Sequence, residues 1–88
     1  MLEISWTRAV KKDLKKIKHD QQALRELNAV LQKLVNLEPL LERHRDHNLS
    51  GNWVDHRECH IKNDLLLIYQ ADKTTLTLVR LGSHSELF

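Results

Sequence analysis

The alternation of apolar and polar residues at the start of the chain predicts a short strand. In the segment LEISW, Leu2, Ile4 and Trp6 fall on one side, and Glu3 and Ser5 fall on the other. A period of two residues is typical of a strand with one buried face. We therefore expect the first strand to place its three large apolar side chains against the core.

The two apolar patterns that follow have helical spacing. Val10, Leu14 and Ile17 recur at i, i+4 and i+7, with lysines on the opposite side. Ser5 or Thr7 precedes this pattern and is suited to cap the helix. The first of the two patterns therefore predicts an amphipathic helix.

A second helix is indicated after a break at KHDQQ. Asp20 is suited to cap it, and Pro39 ends it, because the residue before a proline is pushed out of the helical region. Residues 38–52 are polar and predict a long loop, which in a small domain is usually functional or disordered. The apolar stripe of the second helix is made of Leu24, Leu27, Leu31 and Leu34.

Three strand-like runs complete the pattern. They are WVDHRECHI, LLLIYQA and TLTLVRL, separated by the turn-like segments KND and DKTT. The predicted order is β-α-α-β-β-β, an α+β fold in which two helices cover one face of a small antiparallel sheet. The opposite face is then open and is free to carry a site.

Length and composition narrow the class of protein. We expect the 88 residues, 1–88, to form a single domain with a thin core. The single cysteine, Cys59, excludes an internal disulfide and favours a reducing compartment, and no apolar run is long enough to span a membrane. We therefore expect a cytoplasmic protein.

Positive charge is concentrated in the first helix. The whole chain carries a net charge of +2, yet the segment 7–18 holds six Lys and Arg against one Asp. A basic face of this kind suits contact with nucleic acid phosphates, although many solvated helices look the same. The lysines that we single out are Lys12, Lys15 and Lys16.

Histidines are concentrated in the segment HRDHNLSGNWVDHRECH, residues 44–60. A zinc site is one interpretation of His44, His47, His56 and His60, but structural zinc sites usually use paired cysteines. In a strand, His56 and His60 point to one face and Cys59 to the other. We therefore predict that the protein holds no metal and needs no cofactor.

Acid–base chemistry is the second interpretation, because a histidine exchanges protons near neutral pH. Cleavage of RNA by its own 2′-hydroxyl needs a base, an acid and a group that stabilises charge on the phosphate. Histidines together with Asp64, Arg57, Lys62 and Arg80 supply these groups. Histidine-rich loops are nevertheless more often simply solvated.

Several residues have structural interpretations instead. His19 and His44 are expected to be exposed in loops, and His56 to lie on a solvated strand face. A terminal aromatic such as Phe88 either anchors the chain or meets a partner such as a nucleobase. We expect three other residues to lie in the core: Trp53, Cys59 and Tyr69.

Taken together, three motifs resemble one family. DHNLSGNW, RECHIKNDLLLIY and LVRLGSHSELF occur in the order found in the YafQ branch of the RelE/ParE-type bacterial toxins. The resemblance is close over the C-terminal half, and the N-terminal half is similar in pattern. One position departs from the family, because Leu65 stands where some members have a tryptophan.

The resemblance implies a ribosome-dependent endonuclease of translated mRNA, the toxin of a type II toxin–antitoxin pair. It assigns catalytic positions to His47, His60, Asp64 and His84, and the terminal aromatic to Phe88. We expect His84 to act as general acid and His47, with help from Asp64, as base, although these roles are open to exchange.

The resemblance also implies partners. They are a DinJ-like antitoxin, the ribosome and mRNA, with operator DNA bound only through the antitoxin complex. Two alternatives remain at this point: a toxin of the same fold that poisons a topoisomerase such as gyrase without cutting RNA, and a metal-binding regulator.

Overall fold

Five strands form one mixed sheet, and two helices cover one of its faces. The computed structural model describes residues 1–88 and has the order β1 (Glu3–Trp6), α1 (Arg8–Lys15), α2 (Gln21–Val35), β2 (His47–Asn48), β3 (Arg57–Lys62), β4 (Leu65–Ala71), β5 (Thr75–Gly82) and α3 (His84–Leu87). The strands lie side by side in the order β1-β5-β4-β3-β2. The predicted α+β fold is confirmed. Strand β1 pairs with β5 in parallel, whereas all other pairs are antiparallel.

Side-chain caps fix the starts of both long helices. Thr7 Oγ1 accepts a hydrogen bond from the backbone N–H of Val10 at 3.0 Å, and Asp20 Oδ1 accepts one from Ala23 at 3.1 Å. Such caps satisfy N–H groups that have no partner within the helix. Both capping residues are among those predicted, and α2 ends before Pro39 as expected. No helix combines the length and the apolar character needed to cross a membrane.

The main core lies between the two helices and one face of the sheet. Val10 of α1, Leu27 and Val30 of α2, and Leu67 and Leu76 of the sheet are at most 5% exposed and belong to one contiguous cluster. Alternation along β3 and β4 sends every second side chain to this face. Cys59 and Tyr69 are buried in the same cluster, as predicted.

A second, smaller cluster lies on the opposite face. Leu66 and Ile68 of β4 pack against Leu87 of α3, with Leu49 and Trp53 at the margin. Gly82 permits this arrangement, because a Cβ there would meet Glu86 Oε1 at 3.1 Å and Leu87 Cδ2 at 3.4 Å. The short helix α3 therefore folds back over the face that the helices α1 and α2 leave uncovered.

The predictions for the first strand and for the long loop need correction. Leu2 is buried, but Ile4 and Trp6 are 37% and 38% exposed, because β1 is an edge strand with little packed against it. The loop 38–52 contains the two-residue strand β2 and a 3-10 turn at Glu42–His44, and a second turn follows at Gly51–Trp53. That second turn occupies the beginning of the WVDHRECHI run, so β3 begins only at Arg57.

Candidate active site

The open face of the sheet collects the predicted catalytic residues at one end. His60 of β3 pairs with Leu66 of β4, and Leu66 pairs with Gly82 of β5, so the three form one row across the sheet. Neighbouring strands are about 4.8 Å apart, which puts the backbones of His60 and Gly82 roughly 10 Å from each other. Asp64 lies in the turn beyond this row, and His84 follows β5. The sheet thus brings both histidines to one end, with a gap between them.

A buried carboxylate connects two of the histidines. Glu58 is 5% exposed, and its Oε1 lies 3.4 Å from His47 Nε2 and 3.6 Å from His60 Nε2. His47 and Glu58 are directly paired between β2 and β3, and Glu58 and His60 are two residues apart on the same face of β3. The ring centroids of His47 and His60 are 6.5 Å apart.

The backbone fixes the tautomer of His47. Its Nδ1 lies 2.6 Å from the carbonyl oxygen of Arg45. A carbonyl oxygen only accepts hydrogen bonds, so Nδ1 carries a proton, and in the neutral ring the lone pair is therefore on Nε2. Arg45 adopts a left-handed conformation with a φ of 46°, which is uncommon for a residue other than glycine. A strained turn therefore directs the His47 ring.

Arg57 alternates with Glu58 along β3, so it lies on the opposite face of the sheet, beside Tyr69, where a second carboxylate holds it. Its Nε donates to Asp46 Oδ1 at 3.1 Å, and its Nη1 donates to Asn48 Oδ1 at 2.7 Å. Tyr69 donates to the same Asp46 oxygen at 2.5 Å. Burial raises the pKa of the Tyr69 hydroxyl, and the hydrogen bond to Asp46 raises the pKa of Arg57. Asp46 thus fixes a guanidinium that stays charged.

His84 opens helix α3 and is held there by two capping interactions. The backbone N–H of His84 donates to Asp64 Oδ1 at 3.1 Å. Ser83 and Glu86 form a capping box, in which each side chain bonds the backbone of the other residue. The hydrogen bond from the Ser83 backbone is the main reason that the pKa of Glu86 falls to about 2. Asp64 therefore contacts His84 and makes no hydrogen bond to His47.

Aromatic rings line the same face beside α3. The ring of Phe88 lies 4.9 Å from that of His84 and 6.4 Å from that of Trp53. Trp53 also meets His56 edge to face at 5.3 Å. Phe88 is 49% exposed. Trp53 is half-buried rather than part of the main core, and His56 belongs to this aromatic group rather than to a strand, because β3 begins after it.

Other side chains that were predicted to bind RNA are paired with carboxylates of the protein itself. Arg80 donates to both carboxylate oxygens of Asp13, at 2.8 and 3.2 Å. Lys62 Nζ lies 2.7 Å from Asp20 Oδ2, and this bond is the first cause of the lowered pKa of Asp20. The lysines of α1 are exposed. Lys16 pairs with Glu86 at 3.3 Å, whereas Lys12 and Lys15 form no ion pair.

The prediction for His44 is wrong, whereas that for His19 is confirmed. His19 is exposed in the turn between α1 and α2. His44 is 1% exposed, because the 3-10 turn at Glu42–His44 packs it between α2 and β3. Burial also raises the pKa of Cys59, which keeps this thiol protonated and unreactive.

Two features of the site were missed in the sequence. Glu58 was readable from its spacing, because residues two apart in a strand share a face and His60 follows it at that distance. Helix α3 was readable from Ser83-x-x-Glu86, the pattern of a capping box. No three His, Cys, Asp or Glu side chains are grouped closely enough to hold a metal ion.

The arrangement combines four chemical capacities on one surface. The neutral ring of His47 presents the Nε2 lone pair beside a carboxylate, and His84 presents an imidazole at the start of a helix. Arg80, which pairs with Ile68 on the open face, supplies fixed positive charge, and Phe88 supplies an exposed ring. These are the groups that a metal-free phosphodiester cleavage by an internal hydroxyl requires.

Comparison with known proteins identifies relatives over the whole chain. The family model for "Bacterial toxin of type II toxin-antitoxin system, YafQ" matches residues 2–88. The mRNA interferase toxin YafQ of Escherichia coli strain K12 is 30% identical over 87 residues, which cover 98% of this chain and 95% of the relative.

Solved structures agree with this match. A metal-bound toxin from Helicobacter pylori superimposes with a TM-score of 0.91 at 48% identity, covering all of both chains. YafQ in the Escherichia coli DinJ–YafQ complex superimposes with a TM-score of 0.87 at 28% identity, covering 100% of this chain and 99% of that one.

Proposed function

Because this chain belongs to the YafQ family of type II toxin–antitoxin toxins, we propose that it is an endoribonuclease that cuts translated mRNA on the ribosome. The observation that carries the proposal is the pair of histidine groups on the open face. His47 lies against the buried Glu58, and His84 is tied to Asp64.

The base in this mechanism is His47. Its Nε2 lone pair takes the proton of the ribose 2′-hydroxyl while the 2′-oxygen forms a bond to the adjacent phosphorus. The imidazolium that results donates to Glu58, whose carboxylate already lies 3.4 Å away. A buried carboxylate oriented beforehand stabilises this positive charge more strongly than water does.

The acid is His84. As the bond between phosphorus and the 5′-oxygen breaks, the protonated ring gives its proton to that oxygen, leaving a 2′,3′-cyclic phosphate and a free 5′-hydroxyl. Asp64 positions the residue by accepting from its backbone N–H. Phe88, 4.9 Å from the same ring, stacks on a base beside the cut.

Charge on the phosphate is balanced by His60 and Arg80, because Arg57, the other arginine predicted for this role, lies on the opposite face of β3. A guanidinium has five N–H donors, and the pair of Arg80 with Asp13 occupies two of them. The remaining donors are free for phosphate oxygens. Asp13 holds the Arg80 side chain in place before substrate arrives.

The basic face of α1 serves as the ribosome contact in this proposal. Lys12 and Lys15 have no carboxylate partner, and Lys16 has only an exposed one, so all three remain available for ribosomal RNA phosphates. Lys62 also contributes positive charge near the site.

A partner follows from the family. The Escherichia coli relative has been solved in complex with DinJ, and we propose a DinJ-like antitoxin for this chain. Its complex with the toxin would bind the operator DNA, in a cytoplasmic system.

Inducible expression followed by primer extension on a translated mRNA tests the proposal. We expect cuts in register with codons for the natural chain and for His19→Ala, which removes an exposed histidine in the turn between α1 and α2. His84→Ala and His47→Ala should abolish the cuts while keeping the thermal unfolding transition. Growth inhibition with intact mRNA would refute the proposal and favour a toxin that acts on another target, such as a topoisomerase.

A further inference from the structure

A polar cavity adjoins the candidate active site, and we propose that it binds an RNA backbone phosphate that flanks the scissile one. This inference rests on the proposed function. The cavity has a volume of about 540 Å³, and only one of its nine lining residues is hydrophobic. The lining side chains that matter here are Glu26, Arg43, His44, Arg45, His60 and Lys62.

The charge of this cavity, which we call the flanking cavity, suits an anion. The lining holds three cations, Arg43, Arg45 and Lys62, and one carboxylate, that of Glu26. Asp20 pairs with Lys62 at 2.7 Å, so an excess of one positive charge remains, and it lies with the two arginines. The guanidinium of Arg45 has no ion pair or hydrogen bond, and that of Arg43 has only the exposed contact to Glu26 at 3.2 Å. Arginine is suited to phosphate because its donors match two oxygens at once.

A buried histidine in the wall supplies an independent indication. His44 is 1% exposed, and neither ring nitrogen has a hydrogen-bond partner. Buried polar atoms are nearly always paired, so an unpaired one requires an explanation. Its Nε2 lies 3.6 Å from Glu26 Oε2, the same oxygen that Arg43 contacts. Glu26 is therefore divided between two donors and satisfies only one.

A phosphate resolves this conflict. When its oxygens take over Arg43 and Arg45, the Glu26 carboxylate is released from Arg43 and closes the remaining distance to His44 Nε2. Binding thus completes a hydrogen bond that the free protein lacks. The flanking cavity is therefore suited to an anion that binds reversibly.

The position of the flanking cavity favours the RNA backbone over an acidic protein segment. His60 lines the cavity and also contacts Glu58 of the active site. The backbone carbonyl of Arg45 holds the ring of His47. A strand that places one phosphate between His47 and His84 can therefore reach this cavity with a neighbouring one. A nucleobase is a poor occupant, because the lining has almost no apolar surface for stacking.

The test is binding of a uniformly 2′-O-methylated RNA dodecamer, which has no 2′-hydroxyl to attack. Titrations over a series of salt concentrations compare the natural chain with Arg43→Gln/Arg45→Gln. The matched control is Lys33→Gln/Lys73→Gln, which loses the same charge away from the cavity. We expect the arginine variant to bind about 10-fold more weakly and its salt slope to fall by about 0.7, the value for one single-stranded phosphate. The control should follow the natural chain.

NMR of the His44 ring adds a readout that a merely structural role would not move. Adding the dodecamer should shift the His44 ring resonances in the natural chain and leave them in place in the arginine variant. Equal affinities and salt slopes for the two double variants would overturn the flanking site. The site would also be overturned if Arg43→Gln/Arg45→Gln lost binding of an acidic peptide but bound RNA as tightly as the natural chain. If the natural chain binds RNA in this way but leaves translated mRNA uncut, the proposed function fails and the phosphate site stands.

Discussion

Replacing Asp13 with alanine should destabilise the fold by removing one carboxylate that serves three donors. Asp13 is 5% exposed and accepts from Arg80 Nε at 2.8 Å, from Arg80 Nη2 at 3.2 Å and from the buried N–H of Leu81 at 2.9 Å. Helix α1 thereby closes the part of the β5 edge that β1 does not reach. The variant leaves the Leu81 N–H without a partner inside the protein.

The magnitude follows from these contacts. An unpaired buried amide costs about 1–3 kcal/mol. Breaking a buried ion pair costs up to about 3–5 kcal/mol, but the Arg80 side chain is 31% exposed, so water replaces much of that loss. We expect Asp13→Ala to lower the free energy of unfolding by about 2–4 kcal/mol, a large share of the roughly 4–13 kcal/mol typical of this length.

Urea denaturation followed by circular dichroism measures this change. With a typical urea slope, the midpoint should fall by roughly 1–3 M. Asp13→Asn keeps an oxygen for Leu81 and should lose about half as much. Asp55→Asn is the control, because Asp55 is exposed and its φ of 70° suits asparagine. An Asp13→Ala midpoint equal to that of the control would refute this account of the β5 edge.

Three further predictions concern Glu86 in the tail, Asp64 beside His84, and the basic helix α1. The pKa of Glu86 is about 2 in the folded state against 4.5 ordinarily, so its contribution is present above pH 4.5 and is lost as pH falls toward 2; Glu86→Gln should flatten the decline of the melting temperature over that interval, and an unchanged decline would contradict it. Asp64→Ala should reduce mRNA cleavage at least 10-fold with little change in stability, while Asp64→Asn, which keeps an acceptor for His84, should retain more activity than alanine in the same primer-extension assay. Replacing Lys12, Lys15 and Lys16 with glutamate should weaken co-sedimentation with ribosomes at moderate salt. Unchanged co-sedimentation would mean that this helix face is only solvated.

Local patterns were sufficient for most of the secondary structure. The two long helices, α1 and α2, follow from the spacing of their apolar residues and from the caps Thr7 and Asp20, all of which act within one or two turns. β4 and β5 follow from their apolar runs. These features need no knowledge of distant contacts, and for that reason the α+β fold was predictable.

Features set by distant contacts were not predictable from single segments. Strand β2 exists because His47 pairs with Glu58, and nothing in HNLSG has the alternation of a strand. His44 is buried because a turn of polar sequence is pressed between α2 and β3. The edge position of β1 left Ile4 and Trp6 exposed, although their alternation indicated a buried face.

The candidate site was predictable in part for the same reason. Motif resemblance singled out His47, His60, Asp64 and His84, and the sheet gathers all four at one end. Only the structure shows how these residues are connected. Glu58 lies between the rings of His47 and His60, and Asp64 accepts a hydrogen bond from the backbone of His84. Which carboxylate contacts which histidine depends on the register of the strands, and the sequence alone does not determine that register.

The parallel pairing of β1 with β5 sets an order in which the protein can become active during its own synthesis. Thr7, next to β1, bonds the carbonyl of Val79 in β5, 72 residues later. The first strand must therefore wait for β5, and the same strand delivers His84 to the face that already holds His47. A chain still short of β5 lacks both its closed sheet and His84, the acid of the proposed mechanism. Under the proposed function, the chain would thus remain harmless to the message that encodes it until nearly all of the chain has been made.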